Sequence, residues 1–120
     1  MWKITYDKNK NRITIDFKTT LLLEEMTEYS ADVKKAVDRT TPGFTLLVNL
    51  IGTEIIAQEV DDACIHLRDY LVLKGIKNTA TVVDSAIVRM QMNRTLVPIN
   101  SNTFLTIKDA ERFLDKYTTM

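Results

Sequence analysis

The fold class is decided by one stretch of the sequence, Phe44-Thr45-Leu46-Leu47-Val48-Asn49-Leu50. It is short and nearly continuously apolar, which is typical of a strand buried on both faces of a parallel sheet. The segment from Asn78 to Asp84 has the same character and predicts a second buried strand. Parallel strands need long crossover connections, which helices usually supply. We therefore expect an α/β fold with helices between these strands.

Upstream of this stretch, two short segments alternate between apolar and polar residues, from Trp2 to Tyr6 and from Arg12 to Phe17. This period of two predicts half-buried strands, with Arg12 on the polar side of the second strand. The polar residues from Asp7 to Asn11 favour a turn between them. The N-terminus is therefore predicted to form a β-hairpin.

Four other segments repeat their apolar residues every three or four positions, as helices do. The first lies after the hairpin and is expected to bury one face, formed by Leu23, Met26, Ser30, Val33 and Val37. The second covers roughly residues 54–74, with Gly75 at its end, and the third runs from after Ser85 to about Leu96. After a short strand at residues 103–105, the fourth helix opens with a capping-box pattern at Thr106 to Asp109. We expect its buried stripe to comprise Ile107, Ala110, Phe113, Leu114 and Tyr117.

The predicted order is β-β-α-β-α-β-α-β-α. It implies a mixed, mostly parallel sheet of four to five strands with an N-terminal hairpin and about four helices. The 120 residues fit a single domain over 1–120.

Composition narrows the classes of function. Lys plus Arg and Asp plus Glu both number 16, so the formal net charge is zero and nucleic-acid binding is not expected. No apolar run approaches the ~20 residues of a membrane span. The N-terminus lacks the apolar core of a signal peptide, and the lone Cys64 cannot form an internal disulfide. We therefore expect a cytoplasmic protein without a membrane span.

The sequence contains no recognisable catalytic or metal-binding motif. Cys64 and His66 lie two residues apart on a predicted helix and point about 200° apart, so they cannot share an ion or act as a catalytic pair. We expect Cys64 in the core and His66 at the surface. Carboxylates on the helices are expected to be solvated, namely Glu24, Glu25, Glu59, Asp61 and Asp62. The three glycines cannot form a phosphate-binding loop. We expect no enzyme activity, no cofactor and no metal.

The best candidate site lies where the two buried strands end, because ligands of α/β sheets favour the carboxyl ends of the strands. If the two strands are neighbours in the sheet, the polar residues that follow them converge. The residues concerned are Asn49, Gly52, Thr53 and Glu54 after one strand, and Asp84, Ser85 and Arg89 after the other. Two interpretations stay open. Thr53 and Ser85 can serve as helix caps. Alternatively, Arg89 and backbone N–H groups can bind an anion or a partner.

The third helix suggests a second candidate surface. Met90 and Met92 cannot share one helical face, so we expect one in the core and the other, Met92, partly exposed. Together with Leu96, Met92 can form an adaptable apolar contact surface. The alternative is an ordinary amphipathic helix with a loose apolar stripe.

The pattern of apolar blocks resembles the SpoIIAA-like branch of the STAS domains, which includes the anti-sigma-factor antagonists. The stretches that carry this resemblance are the hairpin leading into Leu23-Glu24-Glu25-Met26, the strand entry Pro42 to Leu50, Thr81 to Ser85 with Arg89-Met90-Gln91, and Phe104 to Leu114. The resemblance implies a mixed sheet with helices mainly on one face. It also implies binding of partner proteins and, in some members, of small ligands or nucleotides.

The antagonists are switched by phosphorylation of a serine in an Asp-Ser-Ser-Gly motif after the corresponding strand. Here that position reads Asn49-Leu50-Ile51-Gly52-Thr53-Glu54, so no phosphorylation site is carried over. We therefore expect a non-enzymatic interaction or regulatory module that lacks this switch and binds an unknown protein partner or a second copy. The alternative is a small-molecule binding protein that holds an apolar or anionic ligand.

Overall fold

The computed structural model describes residues 2–54, 58–95 and 101–117, and the side chains of residues 91–95 and 101 lie outside that description. The strands are β1 (Trp2–Asp7), β2 (Arg12–Phe17), β3 (Thr45–Asn49), β4 (Asn78–Val82) and β5 (Ser101–Phe104). The helices are α1 (Met26–Val37), α2 (Gln58–Leu73), α3 (Ala86–Thr95) and α4 (Ile107–Asp115). The predicted order is confirmed, with bounds that shift by a few residues.

The five strands form one sheet in the order β1-β2-β3-β4-β5. β1 runs antiparallel to β2, and the remaining neighbours are parallel. Right-handed crossovers between successive adjacent strands place all the connecting helices on the same side. We call this side, covered by α1, α2 and α3, the crossover face. The helix α4 packs on the opposite side, which we call the α4 face.

The larger core lies on the crossover face. Ile13 and Ile15 of β2 and Leu46 and Val48 of β3 point toward it, as the period of two requires. The buried face of α1 differs from the predicted one and comprises Met26, Tyr29, Val33, Ala36 and Val37. Leu23 is exposed because it lies in a 3₁₀ turn before α1, where three residues per turn do not continue the α-helical stripe.

The smaller core lies on the α4 face. Its buried side chains are Leu47, Ala80, Val82, Ala110 and Leu114. The capping pattern is confirmed by Thr106, whose hydroxyl oxygen accepts a hydrogen bond from the backbone N–H of Asp109 at 3.2 Å. The buried stripe of α4 is narrower than predicted, since Ile107 is exposed and Phe113 is half-buried.

Arg12 corrects the expectation of a solvated polar side of β2, because its residue is only 4% exposed. Its Nε donates to Thr45 Oγ1 at 3.1 Å, and its Nη2 lies 2.9 Å from Asp115 Oδ1 at the end of α4. Desolvation alone raises the pKa of Asp115, but the hydrogen bond and charge of Arg12 outweigh it and lower that pKa. The buried guanidinium therefore ties α4 to the sheet through a charged contact.

Gly75 ends α2 as predicted. It has a positive φ of 91°, and a Cβ there would lie 3.1 Å from the Cβ of Pro42, so a side chain is disfavoured on both grounds. None of the helices within the described ranges is both long and apolar enough to cross a membrane.

Candidate functional site

The predicted site residues follow β3 and β4 at one edge of the sheet. Because β2, β3, β4 and β5 are parallel, the loops after all four strands meet at this edge, which we call the carboxyl edge. The site is therefore built from consecutive loops on a rigid sheet.

The loops after β3 and β4 touch each other, as the sequence predicts. The backbone N–H of Gly52 donates to Asp84 Oδ1 at 3.5 Å, and the N–H of Leu50 donates to the Val82 carbonyl at 2.8 Å. Gly52 has a φ of 84°, a left-handed conformation that side chains rarely adopt. The Asp84 carboxylate thus lies beside a turn whose backbone conformation favours glycine.

Asn49 forms a side-chain hydrogen bond with Asp16, near the end of β2. The sequence did not identify Asp16 as a site residue. The Asn49 Nδ2 donates to Asp16 Oδ1 at 2.9 Å, and the Asn49 Oδ1 accepts from the backbone N–H of Ile51 at 3.2 Å. The other Asp16 oxygen pairs with Lys18 at 3.1 Å. Only the parallel register, which places Asp16 opposite Asn49, brings the two together. The available signal was the position of Asp16 near the end of its strand.

Hydrogen bonds of Thr53 and Glu54 hold the loop after β3 in place. The Thr53 hydroxyl donates to the Leu50 carbonyl at 2.7 Å, while the backbone N–H of Glu54 donates to Thr20 Oγ1 at 2.9 Å. Thr53 is buried and the Glu54 side chain is exposed. These contacts connect the loop after β3 with the loop after β2.

Ser85 lies at the start of α3, where its Oγ accepts from the backbone N–H of Val88 at 3.4 Å. This is the geometry of a helix cap, the first of the two interpretations left open. Arg89 lies one turn further on, and its side chain is exposed. Its role at a ligand or partner site stays a prediction.

Large apolar side chains are exposed around these polar groups. We call four of them the carboxyl-edge patch: Leu22, Leu23, Ile51 and Ile87. They come from the loops after β2 and β3 and from the first turn of α3, which are the segments that the hydrogen bonds above join. Leu105 and Ile107 are also exposed, after β5. Isolated exposed apolar residues are common, but several on touching loops suggest a contact surface.

The prediction for the methionines of α3 is only partly tested. Met90 is 66% exposed and does not belong to the core, because it lies on the side of α3 away from the buried Val88. The side chain of Met92 and the whole of Leu96 lie outside the described residues. The proposed contact surface formed by these two residues stays a prediction.

The other reactive side chains that the structure describes include Cys64, His66 and the carboxylates of the helices. Within the described ranges, no group of three or more His, Cys, Asp or Glu residues is placed to hold a metal ion. Burial, together with the charge of Asp61, raises the pKa of the Cys64 thiol to about 12, and His66 is exposed as predicted. Asp61 corrects the expectation of solvated carboxylates. It is buried in α2, as is the preceding Val60.

A solved structure shares this architecture along nearly the whole chain. It is an uncharacterised DUF3478 family protein with a SpoIIAA-like fold from Shewanella loihica PV-4, with a TM-score of 0.73. The two are 14% identical, and the match covers 95% of this chain and 92% of that one. The chain has a SpoIIAA-like fold. No family model matches the sequence, and no curated protein matches it either.

This SpoIIAA-like fold agrees with the predicted sheet and with helices mainly on one face, since three of the four described helices cover the crossover face. At 14% identity the likeness concerns the fold alone, so no residue role is taken from that protein.

Proposed function

We propose that this SpoIIAA-like domain is a non-enzymatic interaction or regulatory module of the cytoplasm. It contacts another protein or a second copy of itself through the carboxyl-edge patch. The observation that supports this proposal is the exposure of Leu22, Leu23, Ile51 and Ile87 on neighbouring, hydrogen-bonded loops. Burying such a surface on binding removes apolar area from water, which drives most protein association.

The scaffold beneath the patch favours binding without rearrangement. The side chains of Asn49, Thr53 and Asp84 all bond to neighbouring groups, so the loops are held in place before a partner arrives. Pre-organised loops lose less conformational entropy on binding. The patch therefore has the rigidity of an interface and the apolar character that an interface core needs.

The proposal of a non-enzymatic role is supported by the protonated thiol of Cys64 and by the residues of the loop after β3. A thiol with a pKa of about 12 is almost fully protonated at neutral pH, and thiolate is the nucleophilic form. The loop that would carry an Asp-Ser-Ser-Gly switch has Gly52 and the buried Thr53 instead. We therefore propose regulation by contact and not by phosphorylation of this loop.

The alternative, binding of an anionic small molecule at the same edge, has less support. The N–H of Gly52 already donates to the Asp84 carboxylate, and the Ser85 hydroxyl already accepts a bond from α3. An anion would have to displace a carboxylate of the protein itself. Native mass spectrometry of protein purified without denaturant separates the two functions, because a bound small molecule adds mass that denaturation removes.

The proposed function is tested by photo-crosslinking in cells. A photoreactive amino acid replaces Ile87 in one variant and Val72 in another, because Val72 is also an exposed apolar residue but lies at the far end of α2. We expect a discrete protein adduct from position 87 that is absent from position 72 and is lost when Leu23→Lys is added. Equal adducts at both positions, or none at 87, would contradict the proposal.

A further inference from the structure

The sheet ends on one side in β1, an edge strand of six residues, and no other strand of the described chain lies along its outer edge. An open edge presents unpaired N–H and C=O groups that can pair with a strand of another molecule. The opposite edge strand, β5, has only four residues. β1 is therefore the better template for pairing.

β1 carries two exposed charges, Lys3 and Asp7, whose neighbours on β2 are engaged elsewhere. Lys3 lies opposite Asp16, but the two oxygens of Asp16 contact Asn49 and Lys18. Asp7 lies opposite Arg12, and the buried Arg12 pairs with Asp115 at the end of α4. Each charge on β1 therefore faces a group that is already neutralised.

Within the described part of the chain, neither Lys3 nor Asp7 makes an ion pair. The Asp7 Oδ1 accepts hydrogen bonds from the backbone N–H groups of Asn9 and Lys10, at 3.0 and 3.3 Å, which fixes the carboxylate at the end of the strand. Its second oxygen remains available to a cation. Lys3 and Asp7 are each two residues from Thr5 on the same side of β1. In an antiparallel pair of two copies, the cation of each strand can therefore lie opposite the anion of the other.

We propose that β1 pairs antiparallel with β1 of a second copy of this chain, about a two-fold axis at Thr5. In this register Lys3 lies opposite the partner's Asp7, and Ile4 lies opposite the partner's Tyr6. Both charge pairs form on the exposed side of the strand, while the apolar side chains meet on the crossover face. The two sheets become one continuous ten-stranded sheet, given five strands in each copy.

The register follows from symmetry and charge. A two-fold axis perpendicular to the sheet keeps each side chain on its own face, so residues can only pair with residues of the same face. Moving the axis to Ile4 or Tyr6 separates Lys3 from the partner's Asp7. Moving it to Lys3 or Asp7 places like charges opposite each other. Among these positions, the axis at Thr5 is the one that satisfies both charges.

Contacts with α1 and with the turn after it hold the edge strand in place before pairing. The Trp2 Nε1 donates to Asp32 at 3.0 Å, the Trp2 ring meets Tyr29 edge to face at 5.4 Å, and Arg39 lies over the Tyr6 ring. The Trp2 end of β1 is thus fixed to α1, and the Tyr6 end contacts the turn that follows α1. A fixed edge loses little entropy when a second strand pairs with it.

The first test is a disulfide across the axis, in a Cys64→Ala background. Residues paired across antiparallel strands have Cα atoms about 4.5–5.5 Å apart, which is within the range that a disulfide spans. We expect Thr5→Cys to form a covalent dimer under mild oxidation. The matched control is Thr14→Cys, directly opposite Thr5 on β2 but one strand inward, and it should stay monomeric. Equal crosslinking of both variants, or none with Thr5→Cys, would overturn the proposal.

The second test uses charge reversal and sedimentation equilibrium. Lys3→Glu and Asp7→Lys each place like charges opposite each other, so each variant alone should dimerise about tenfold more weakly than the parent. An equimolar mixture of the two should dimerise like the parent, because every pair is then attractive. Far-UV circular dichroism verifies that both variants fold. A parent that stays monomeric at millimolar concentration, or a mixture that restores nothing, would overturn the register.

This inference stands apart from the proposed function, because the outer edge of β1 and the carboxyl-edge patch are different surfaces. Failure of the Thr5→Cys crosslink leaves the photo-adduct at position 87 unaffected. Loss of the photo-adduct at position 87 likewise leaves the Thr5→Cys crosslink unaffected.

Discussion

The two faces of the sheet are built differently. The crossover face is covered by three helices and holds large side chains such as Phe44, Tyr29 and Ile13. The α4 face is covered by one helix and holds a small core in which Ala80 and Ala110 are fully buried. The comparison shows that the smaller core is supplemented by a buried, ion-paired charge, Arg12, which ties α4 to the sheet.

This difference has a physical basis. Small side chains let α4 approach the sheet closely but remove little apolar area from water, so they contribute little hydrophobic free energy. The contact between Arg12 and Asp115 adds a charge-assisted hydrogen bond at the end of the helix. The following predictions test this contrast, from the largest expected effect to the smallest.

Phe44→Ala should lower the free energy of unfolding by about 3–5 kcal/mol, because it leaves a cavity in the large core. Phe44 is fully buried on the crossover face. Urea denaturation followed by circular dichroism measures the change. The control is Leu105→Ala, which removes an exposed side chain and should change the stability little. A loss below about 1 kcal/mol for Phe44→Ala would mean that the crossover face does not dominate stability.

Asp115→Ala should destabilise the protein by about 1 kcal/mol, because the buried Arg12 loses one of its acceptors. The pKa of Asp115 is lowered in the folded state, so its contribution is present above the ordinary aspartate pKa of about 3.9 and is lost as the pH falls through the folded value. The stability difference between parent and variant should therefore shrink below about pH 4.

Thermal unfolding at a series of pH values measures this difference. Lys10→Ala serves as the control, since Lys10 also contacts Asp115, at 3.4 Å, but is exposed. If the variant and the parent differ equally at acid and neutral pH, the charged contact does not hold α4.

The rate at which the Cys64 thiol is alkylated reports how well α2 stays packed on the crossover face. Burial, with the charge of Asp61, raises the pKa of its thiol to about 12, so the reactive thiolate is scarce at pH 8. Alkylation by iodoacetamide should be more than about 100-fold slower in the native protein than in the urea-unfolded chain. Mass spectrometry follows the reaction. Similar rates in the two states would show that α2 opens readily from this face.

Arg89→Ala should have the smallest effect on stability, within about 0.5 kcal/mol, because its side chain is exposed and belongs to neither core. If Arg89 acts at a partner or ligand site, the variant should remain folded and lose the photo-adduct at position 87. A large fall in the unfolding temperature would instead assign Arg89 a structural role.

The sequence by itself determined the order and type of the elements, because those depend on the periodicity of neighbouring residues. The period of two in the hairpin, the apolar run at Phe44 to Leu50 and the cap at Thr106 are local signals, and the structure confirms each of them. The sequence also predicted that the segments after β3 and β4 lie together if these strands are neighbours, and the strand order of the sheet meets that condition.

Only the tertiary structure decided what covers each residue. Arg12 and Asp61 lie on positions that the sequence assigns to solvent, and both are buried, Arg12 against Thr45 and the end of α4. Leu23 and Met90 show the converse, since no described element covers them. The pairing of Asn49 with Asp16 likewise needed the strand register. Periodicity relates residues within one element, whereas burial depends on residues that are distant in the chain.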